Sequence, residues 1–256
     1  MSDSPLKVWV EKEGRLLRLR LARPKANIVD AEMIAALSSA LDKHSGSCTL
    51  TAVILDAEGP HFSFGASVEE HMPDQCADML KSLHALIVQM LECPVPILVA
   101  IQGQCLGGGL EVALAGNLLF AHPEASLGQP EIKLAVFAPA ASCLLPERIG
   151  RYQAEDLLFS GRSIDGNEAH RIGLVNALSD DPSAAAVAYF DQHLATSSAS
   201  SLRFAVQAAS FDAVARIKDK LTRVEALYLQ ELMATHDAVE GLQAFVDKRA
   251  ANWEHQ

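Results

Sequence analysis

Leu106-Gly107-Gly108-Gly109-Leu110-Glu111 decides the reading of this chain, together with Gln129-Pro130-Glu131, which ends twenty residues beyond Glu111. A glycine triplet leading into an apolar helical run leaves backbone N–H groups unobstructed. Glycine permits conformations and approach distances that a Cβ forbids. The pattern predicts a helix starting at about Gly108, whose partial positive end faces any oxygen bound there. An N–H so placed stabilises an enolate or oxyanion, and losing one such donor typically costs on the order of 3–4 kcal/mol in a transition state. Glu111 then sits one turn into the helix, a carboxylate in an otherwise apolar run. Taken alone, the triplet reads equally as a tight turn, and Glu111 as a carboxylate complementing the helix dipole.

A second segment breaks that tie. The strand pattern Thr51-Ala52-Val53-Ile54-Leu55-Asp56 is followed by Gly59-Pro60-His61-Phe62-Ser63-Phe64-Gly65-Ala66-Ser67-Val68-Glu69-Glu70. Its Gly65-Ala66 pair opens another polar-to-helical transition and offers a second backbone N–H. The order of these pieces resembles the crotonase (enoyl-CoA hydratase/isomerase) superfamily. In that family one oxyanion N–H follows a Phe-x-x-Gly element and the other is the middle glycine of Gly-Gly-Gly-x-Glu. The resemblance therefore implies an oxyanion hole at Ala66 and Gly108. It implies a catalytic pair at Glu111 and Glu131, the latter in a Gly-x-Pro-Glu loop (Gly128 to Glu131).

The resemblance covers nearly the whole chain. Leu21-Ala22-Arg23-Pro24-Lys25-Ala26-Asn27 looks like the family segment that lies against the CoA adenine and phosphates. This implies CoA contacts at Arg23, Lys25 and Ala26. Phe245-Val246-Asp247-Lys248-Arg249-Ala250-Ala251-Asn252-Trp253 looks like the closing helix, where the Phe and Lys positions of one subunit reach the CoA held by a neighbour. Phe245 and Lys248 are the counterparts. Arg-Pro-Lys alone is an ordinary loop, and a basic helix end is ordinary dipole complementation; the weight lies in five elements occurring in order.

Departures from the pattern are informative. Ser67 and Asn117 stand where the family usually has Asp. Phe137-Ala138-Pro139-Ala140-Ala141-Ser142 replaces a glycine-rich Pro-Gly-Ala-Gly-Gly-Thr run. Alanine and proline in place of glycine stiffen such a segment. With Pro-Glu-Ile-Lys-Leu before it, this loop most resembles that of the cyclohexa-1,5-diene-1-carbonyl-CoA hydratases of anaerobic aromatic degradation. That resemblance implies water addition to a cyclic dienoyl-CoA. Drift in a packing loop is the competing explanation. His84 and Phe137 stay open between acyl pocket and ordinary packing.

Composition sets the bounds. The chain has 256 residues, half of them hydrophobic, which suits one substantial core. A net charge of −11 argues against a nucleic-acid groove or a polybasic membrane patch. CoA binding needs only a few local cations. Cys48, Cys76, Cys93, Cys105 and Cys143 are odd in number and never spaced Cys-x-x-Cys, so they read as reduced packing residues of a cytoplasmic protein. The nine histidines show no metal-ligand spacing, and no cofactor is expected beyond the CoA carried by the substrate. Met1 to Gly14 is polar with mixed charge and lacks the pattern of a signal peptide. The uncharged run Cys93–Leu110 is broken by Pro94, Pro96 and its glycines, so it reads as a buried strand and turn, not a membrane span.

Alternation of Leu17, Leu19 and Leu21 with Arg18 and Arg20 predicts a half-buried strand. Asp30 caps a helix with Met33, Ile34, Leu37 and Leu41 on one face; Leu80, Leu83, Ile87 and Leu91 mark a second; Ile97–Ile101 is a buried strand. Strand signals fade after Ala184, and Leu202 to Ala250 is mainly helical. The fold class expected is α/β, which the resemblance refines to a crotonase-like spiral of ββα turns. Residues 1–195 form the core with CoA and acyl pocket, and 196–256 a helical region that assembles homotrimers or homohexamers. The function implied is hydration of a conjugated acyl-CoA. Short-chain enoyl-CoA hydration, Δ3,Δ2-isomerisation, thioester hydrolysis, and a catalytically silent CoA-ester- or RNA-binding relative are the alternatives.

Overall fold

A computed structural model describes residues 4–256; Met1 to Asp3, where the polar N-terminal stretch begins, lie outside the described residues. Strands β1 (Leu6–Glu11) and β2 (Leu16–Leu21) form an antiparallel hairpin, after which α1 (Ala31–His44) returns the chain to β3 (Ala52–Ala57), parallel to β2. Asp30 caps α1 by accepting from the Met33 N–H at 3.0 Å, and α2 (Cys76–Leu91) buries Leu80, Leu83 and Ile87.

Two ββα units follow. Strand β4 (Ile97–Ile101) is succeeded at once by β5 (Gln104–Leu106) and α3 (Gly108–Leu114). The second unit comprises β6 (Leu118–Ala121), β7 (Ser126–Gly128), a short 3-10 turn Pro130–Leu134, and α4 (Pro139–Ile149). In each unit the first strand joins the large sheet and the second the small one, and this makes the spiral. The chain continues through α5 (Arg151–Ser160), β8 (Ser163–Asp165), α6 (Gly166–Arg171), β9 (Ala177–Leu178) and α7 (Pro182–Tyr189). The large sheet has the order β1-β2-β3-β4-β6-β9, parallel beyond the hairpin, and the small one the order β5-β7-β8. Helices α8 (Ala199–Gln230) and α9 (His236–Val246) complete the chain. The α/β class and the helical C-terminal region expected from the sequence are both present.

Strand β2 differs from expectation, because it is buried on both faces. Leu16, Ile54, Leu98 and Phe120 on the second face of the sheet pack under Ala186 and Phe190, which α7 and the turn after it lay across them. Arg18 is enclosed with them and is held there by partners: Asp56 at 2.7 Å, Glu11 at 3.0 Å and the Ser183 hydroxyl at 2.9 Å. Arg20 forks onto the same Asp56 with two bonds of 2.7 Å. Burying a charge is tolerated only when it is so paired. Period-two alternation of leucine and arginine therefore marked a buried ion pair, not a wet face.

The C-terminal helices close over the core. Helix α8 packs on α2 and α4, and α9 on the 3-10 turn Pro130–Leu134. Gly241 of α9 lies directly against the Leu134 carbonyl, where a Cβ would not fit.

Candidate functional site

Helix α3 begins at Gly108 because Gly107 turns the chain with φ +49°, while its N–H donates to Gly128 O at 3.0 Å. That conformation suits glycine, and space demands it as well: a Cβ at 107 would stand 2.7 Å from Glu131 Oε1. Gly108 lies as closely against Ala66, where a Cβ would come within 3.1 Å of the Ala66 nitrogen. The Ala66 segment is pinned in turn. Gly65 adopts φ +114°, its carbonyl accepts from Val29 N–H at 2.9 Å, and Phe64 N–H donates to Ala26 O at 2.9 Å. The Ala66 and Gly108 N–H groups find no protein acceptor among the described residues. Two adjacent free donors, one at a helix start, form a cradle for one oxygen.

Glu111 projects from the first turn of α3 and is 3 % exposed. The N–H of Ala141, in the first turn of α4, donates to its Oε1 at 2.8 Å. Burial raises the Glu111 pKa, and the hydrogen bonds from the Ala141 and Ala140 backbone oppose the rise. Glu131 is carried by the 3-10 turn, which Ala135 closes in a left-handed conformation, φ +57°. One polar atom of the buried Gln129 amide lies 3.1 Å from each Glu131 oxygen. Burial and then the charge of Glu111 raise the Glu131 pKa. Two buried carboxyls that disfavour each other's charge titrate as a pair and hold a proton near neutrality.

Ala66, Gly108, Glu111, Glu131 and Phe245 all line one cavity of about 380 Å³. Its remaining wall is mostly apolar, with Leu80, Leu83, Val136, Phe137 and Pro139 prominent. A larger pocket of about 650 Å³ lies over Arg18, Arg20 and Asp56, but those charges are already spent on one another. An apolar cleft with a few convergent polar groups and displaced pKa values is the better site.

Residues 11–256 match the profile of the family described as enoyl-CoA hydratase/isomerase. The chain belongs to this family. The cyclohexa-1,5-dienecarbonyl-CoA hydratase of Thauera aromatica is 71 % identical over 255 residues, covering 100 % of this chain and 99 % of that one. A probable enoyl-CoA hydratase of Bacillus subtilis is 31 % identical over 90 % of this chain and 92 % of its own. The crystal structure of a putative enoyl-CoA hydratase from Mycobacterium avium paratuberculosis K-10 superposes with a TM-score of 0.87. It is 23 % identical and covers 97 % of this chain and 99 % of that chain, so it speaks for the fold.

The CoA candidates of this family member are placed less uniformly. Arg23 is partly exposed, with its two terminal nitrogens on Asp30 at 2.7 and 2.5 Å, so it holds the start of α1. Lys25 is exposed with φ +97° and has no ion pair among the described residues. Ala26 meets the cavity only through its bond to Phe64. Lys248 follows α9, φ +55°, and its N–H donates to Phe245 O at 3.1 Å. Phe245 lines the cavity of its own chain, because α9 docks on the turn that carries Glu131.

The sequence left Phe137 open between pocket and packing, and it marked no role for several other wall residues. Phe137 is on the wall, edge-on to the buried ring of Tyr228 with centroids 5.3 Å apart. His71 and Lys133 also line the cavity. No local pattern marks these residues, since the wall is assembled from α2, α4, α9 and two turns remote in sequence. His84 is off the wall, with Nδ1 2.5 Å from Glu225. Burial pushes the Cys143 thiol up to about 12, and Cys105 is raised likewise, so neither is an activated nucleophile.

Proposed function

We infer that this chain is a hydro-lyase that adds water to a conjugated cyclic dienoyl-CoA, the thioester named in its 71 %-identical relative. The observation that carries the mechanism is the buried pair Glu111 and Glu131 facing two free N–H groups across one apolar cavity. The thioester carbonyl oxygen accepts from Ala66 and Gly108. Water attacks the electrophilic carbon β to the carbonyl, forming a C–O bond, and the displaced electron pair moves to the carbonyl oxygen as a dienolate. One carboxylate takes a proton from the water; the other carboxyl gives one to a carbon of the conjugated system, and the electron pair returns to make the new C–H bond. Positioned acid–base groups of this kind contribute roughly 10²–10⁴-fold.

Glu111 suits the base, because backbone N–H donors favour its ionised form. Glu131, beside that charge, suits the acid that holds the shared proton. CoA enters as part of the substrate, with Lys25, Ala26, Phe245 and Lys248 at its approach and Arg23 ordering the segment from behind. A double-bond isomerase needs one principal carboxylate, whereas two line this cavity.

Assembly is part of the same reading. Residues 1–195 supply the reacting groups, and 196–256 the contacts of a homotrimer or homohexamer. The N-terminal half of α8 supports this, presenting Phe204 and Phe211 at 72 % and 68 % exposure. No helix among the described residues is long and apolar enough to cross a membrane. The five cysteines are free thiols, which fits a cytoplasmic enzyme.

The test is turnover in ¹⁸O-labelled water, offering crotonyl-CoA and cyclohexa-1,5-diene-1-carbonyl-CoA separately to mass-spectrometric analysis. Label in a hydroxylated ring product, with little crotonyl turnover, is the expected result. Label in crotonyl-CoA's product alone would discard the ring and keep the hydratase. Label in neither would overturn both.

A further inference from the structure

Ser67, where the family usually has Asp, builds a small turn. Its hydroxyl donates to Glu69 Oε2 at 2.9 Å and accepts from Glu70 N–H at 3.4 Å, and a 3-10 turn runs from Glu69 to His71. The turn brings His71 Nδ1 to 2.6 Å from Ser67 O. A carbonyl oxygen only accepts, so the ring proton sits on Nδ1 and Nε2 keeps its lone pair. Burial lowers the His71 pKa, with the Ser67 carbonyl opposing, and this keeps the ring neutral. Nε2 has no protein donor among the described residues, although the side chain lines the acyl cavity. An acceptor on a mostly apolar wall calls for a donor.

The reacting acyl group offers none. A hydrocarbon ring has no polar hydrogen, and a thioester carbonyl is an acceptor served by Ala66 and Gly108. On the hydratase reading, which this inference rests on, water is the donor that the reaction itself brings to the ring. One of its hydrogens passes to the carboxylate base; the other stays on oxygen after the C–O bond forms.

We propose that His71 is a further catalytic residue: its Nε2 accepts the retained hydrogen of the oxygen that enters as water and leaves as the product hydroxyl. The imidazole transfers no proton. It aims the water's second lone-pair set at the ring and then serves the new hydroxyl, an interaction that an unhydroxylated ligand lacks.

His71→Leu and His71→Gln separate this role from a mere wall. Leucine fills the space without an acceptor, and glutamine restores one at comparable reach. Two readouts are needed: kcat/KM for hydration of the cyclic dienoyl-CoA, and the Kd of cyclohexanecarbonyl-CoA, which carries no hydroxyl and cannot react. The Leu variant is expected to lose about tenfold in kcat/KM. The Gln variant should recover to within about threefold of wild type, with the Kd of the unreactive ligand unchanged within twofold in both. Equal losses of kcat/KM and of affinity would make His71 a packing residue and overturn the proposal, as would a Leu variant that hydrates at the wild-type rate. Wild-type enzyme that incorporates no ¹⁸O would instead overturn the hydratase reading, and this inference with it.

Discussion

Gly108→Ala is the sharpest test of the oxyanion cradle, because the structure separates its effect on chemistry from its effect on stability. The added Cβ would lie 2.9 Å from Ala66 Cβ and 3.1 Å from the Ala66 nitrogen. Carbon atoms settle at about 3.5–4.0 Å, so roughly 0.6 Å must be found. The Ala66 side is tied to Val29 and Ala26 by 2.9 Å bonds, which forces the two donors apart. Donors act on an oxyanion at 2.7–3.1 Å, and a displacement of that size takes one of them out of range. Turnover should fall about 10²–10³-fold, the usual cost of one lost donor. Stability should change little. Gly108 lacks the positive φ of its neighbour Gly107, and alanine gains up to about 1 kcal/mol over glycine inside a helix, against about 1–3 kcal/mol for overpacking. The net change of about 2 kcal/mol or less moves Tm by roughly 4–8 °C in a chain this size. Initial hydration rates, differential scanning calorimetry and the Kd of cyclohexanecarbonyl-CoA together decide. A variant turning over within about threefold of wild type would refute the cradle. A collapse in Tm would show Gly108 to be a packing glycine.

Other expectations follow from the same geometry. Glu111→Gln and Glu131→Gln should each reduce hydration by roughly 10²–10⁴-fold while leaving the affinity for cyclohexanecarbonyl-CoA nearly intact; near-normal rates in both would remove the two-carboxylate mechanism. Glu131 has its pKa raised above the ordinary 4.5 by burial and by Glu111, so the folded state binds its proton more tightly than the unfolded chain does. That contribution to stability is present at low pH and is lost as pH climbs above 4.5, each tenfold in proton affinity being worth about 1.4 kcal/mol. The Tm of Glu131→Gln relative to wild type should therefore rise as pH is raised from about 5 toward 9; a flat difference would mean the carboxyl ionises freely. Asp56→Ala leaves Arg18 buried without its closest partner and should cost about 3–5 kcal/mol in urea unfolding, where a loss below about 1 kcal/mol would show the pair to be solvated. Lys248→Ala should weaken CoA esters a few-fold, about 0.5–1 kcal/mol, as expected of an exposed cation, and spare truncated thioesters; equal effects on both would rule out a phosphate contact.

What the sequence could disclose follows from how local each feature is. Strand β4 was legible to the residue because Ile97–Ile101 is continuously apolar between Pro96 and the glycines that follow. Helix α1 was legible because Asp30 announces it. The second face of β2 was not, since the cover over it comes from α7, more than 150 residues on, and an arginine that will be enclosed looks the same as one that will be wet. The glycine triplet and both glutamates, which the family resemblance marked, are brought to one cavity by the fold. Arg23 shows the complementary limit. A guanidinium near a phosphate-binding stretch and one that clamps Asp30 have the same sequence, and only the fold shows the fork closing on the carboxylate.

The acyl wall carries the argument one step further, because the stiffened loop and the proton chemistry turn out to be one structure. Pro139 stands at the first position of α4, where its fixed φ suits a helix start and its missing N–H costs nothing. Alanines at 140 and 141 continue the helix where glycines would have frayed it, and the Ala141 N–H is thereby aimed at Glu111. Just ahead of that turn, Phe137 presents its ring to the cavity, braced from behind by Tyr228, which is itself fully buried. The substitutions that give the pocket a rigid aromatic wall are those that fix the donor favouring an ionised Glu111. A hydrocarbon ring offers no polar handle, so shape must select it, and a wall that cannot relax is the means available. On the proposed reading, selectivity for the ring and the protonation state of Glu111 therefore rest on the same entry to α4.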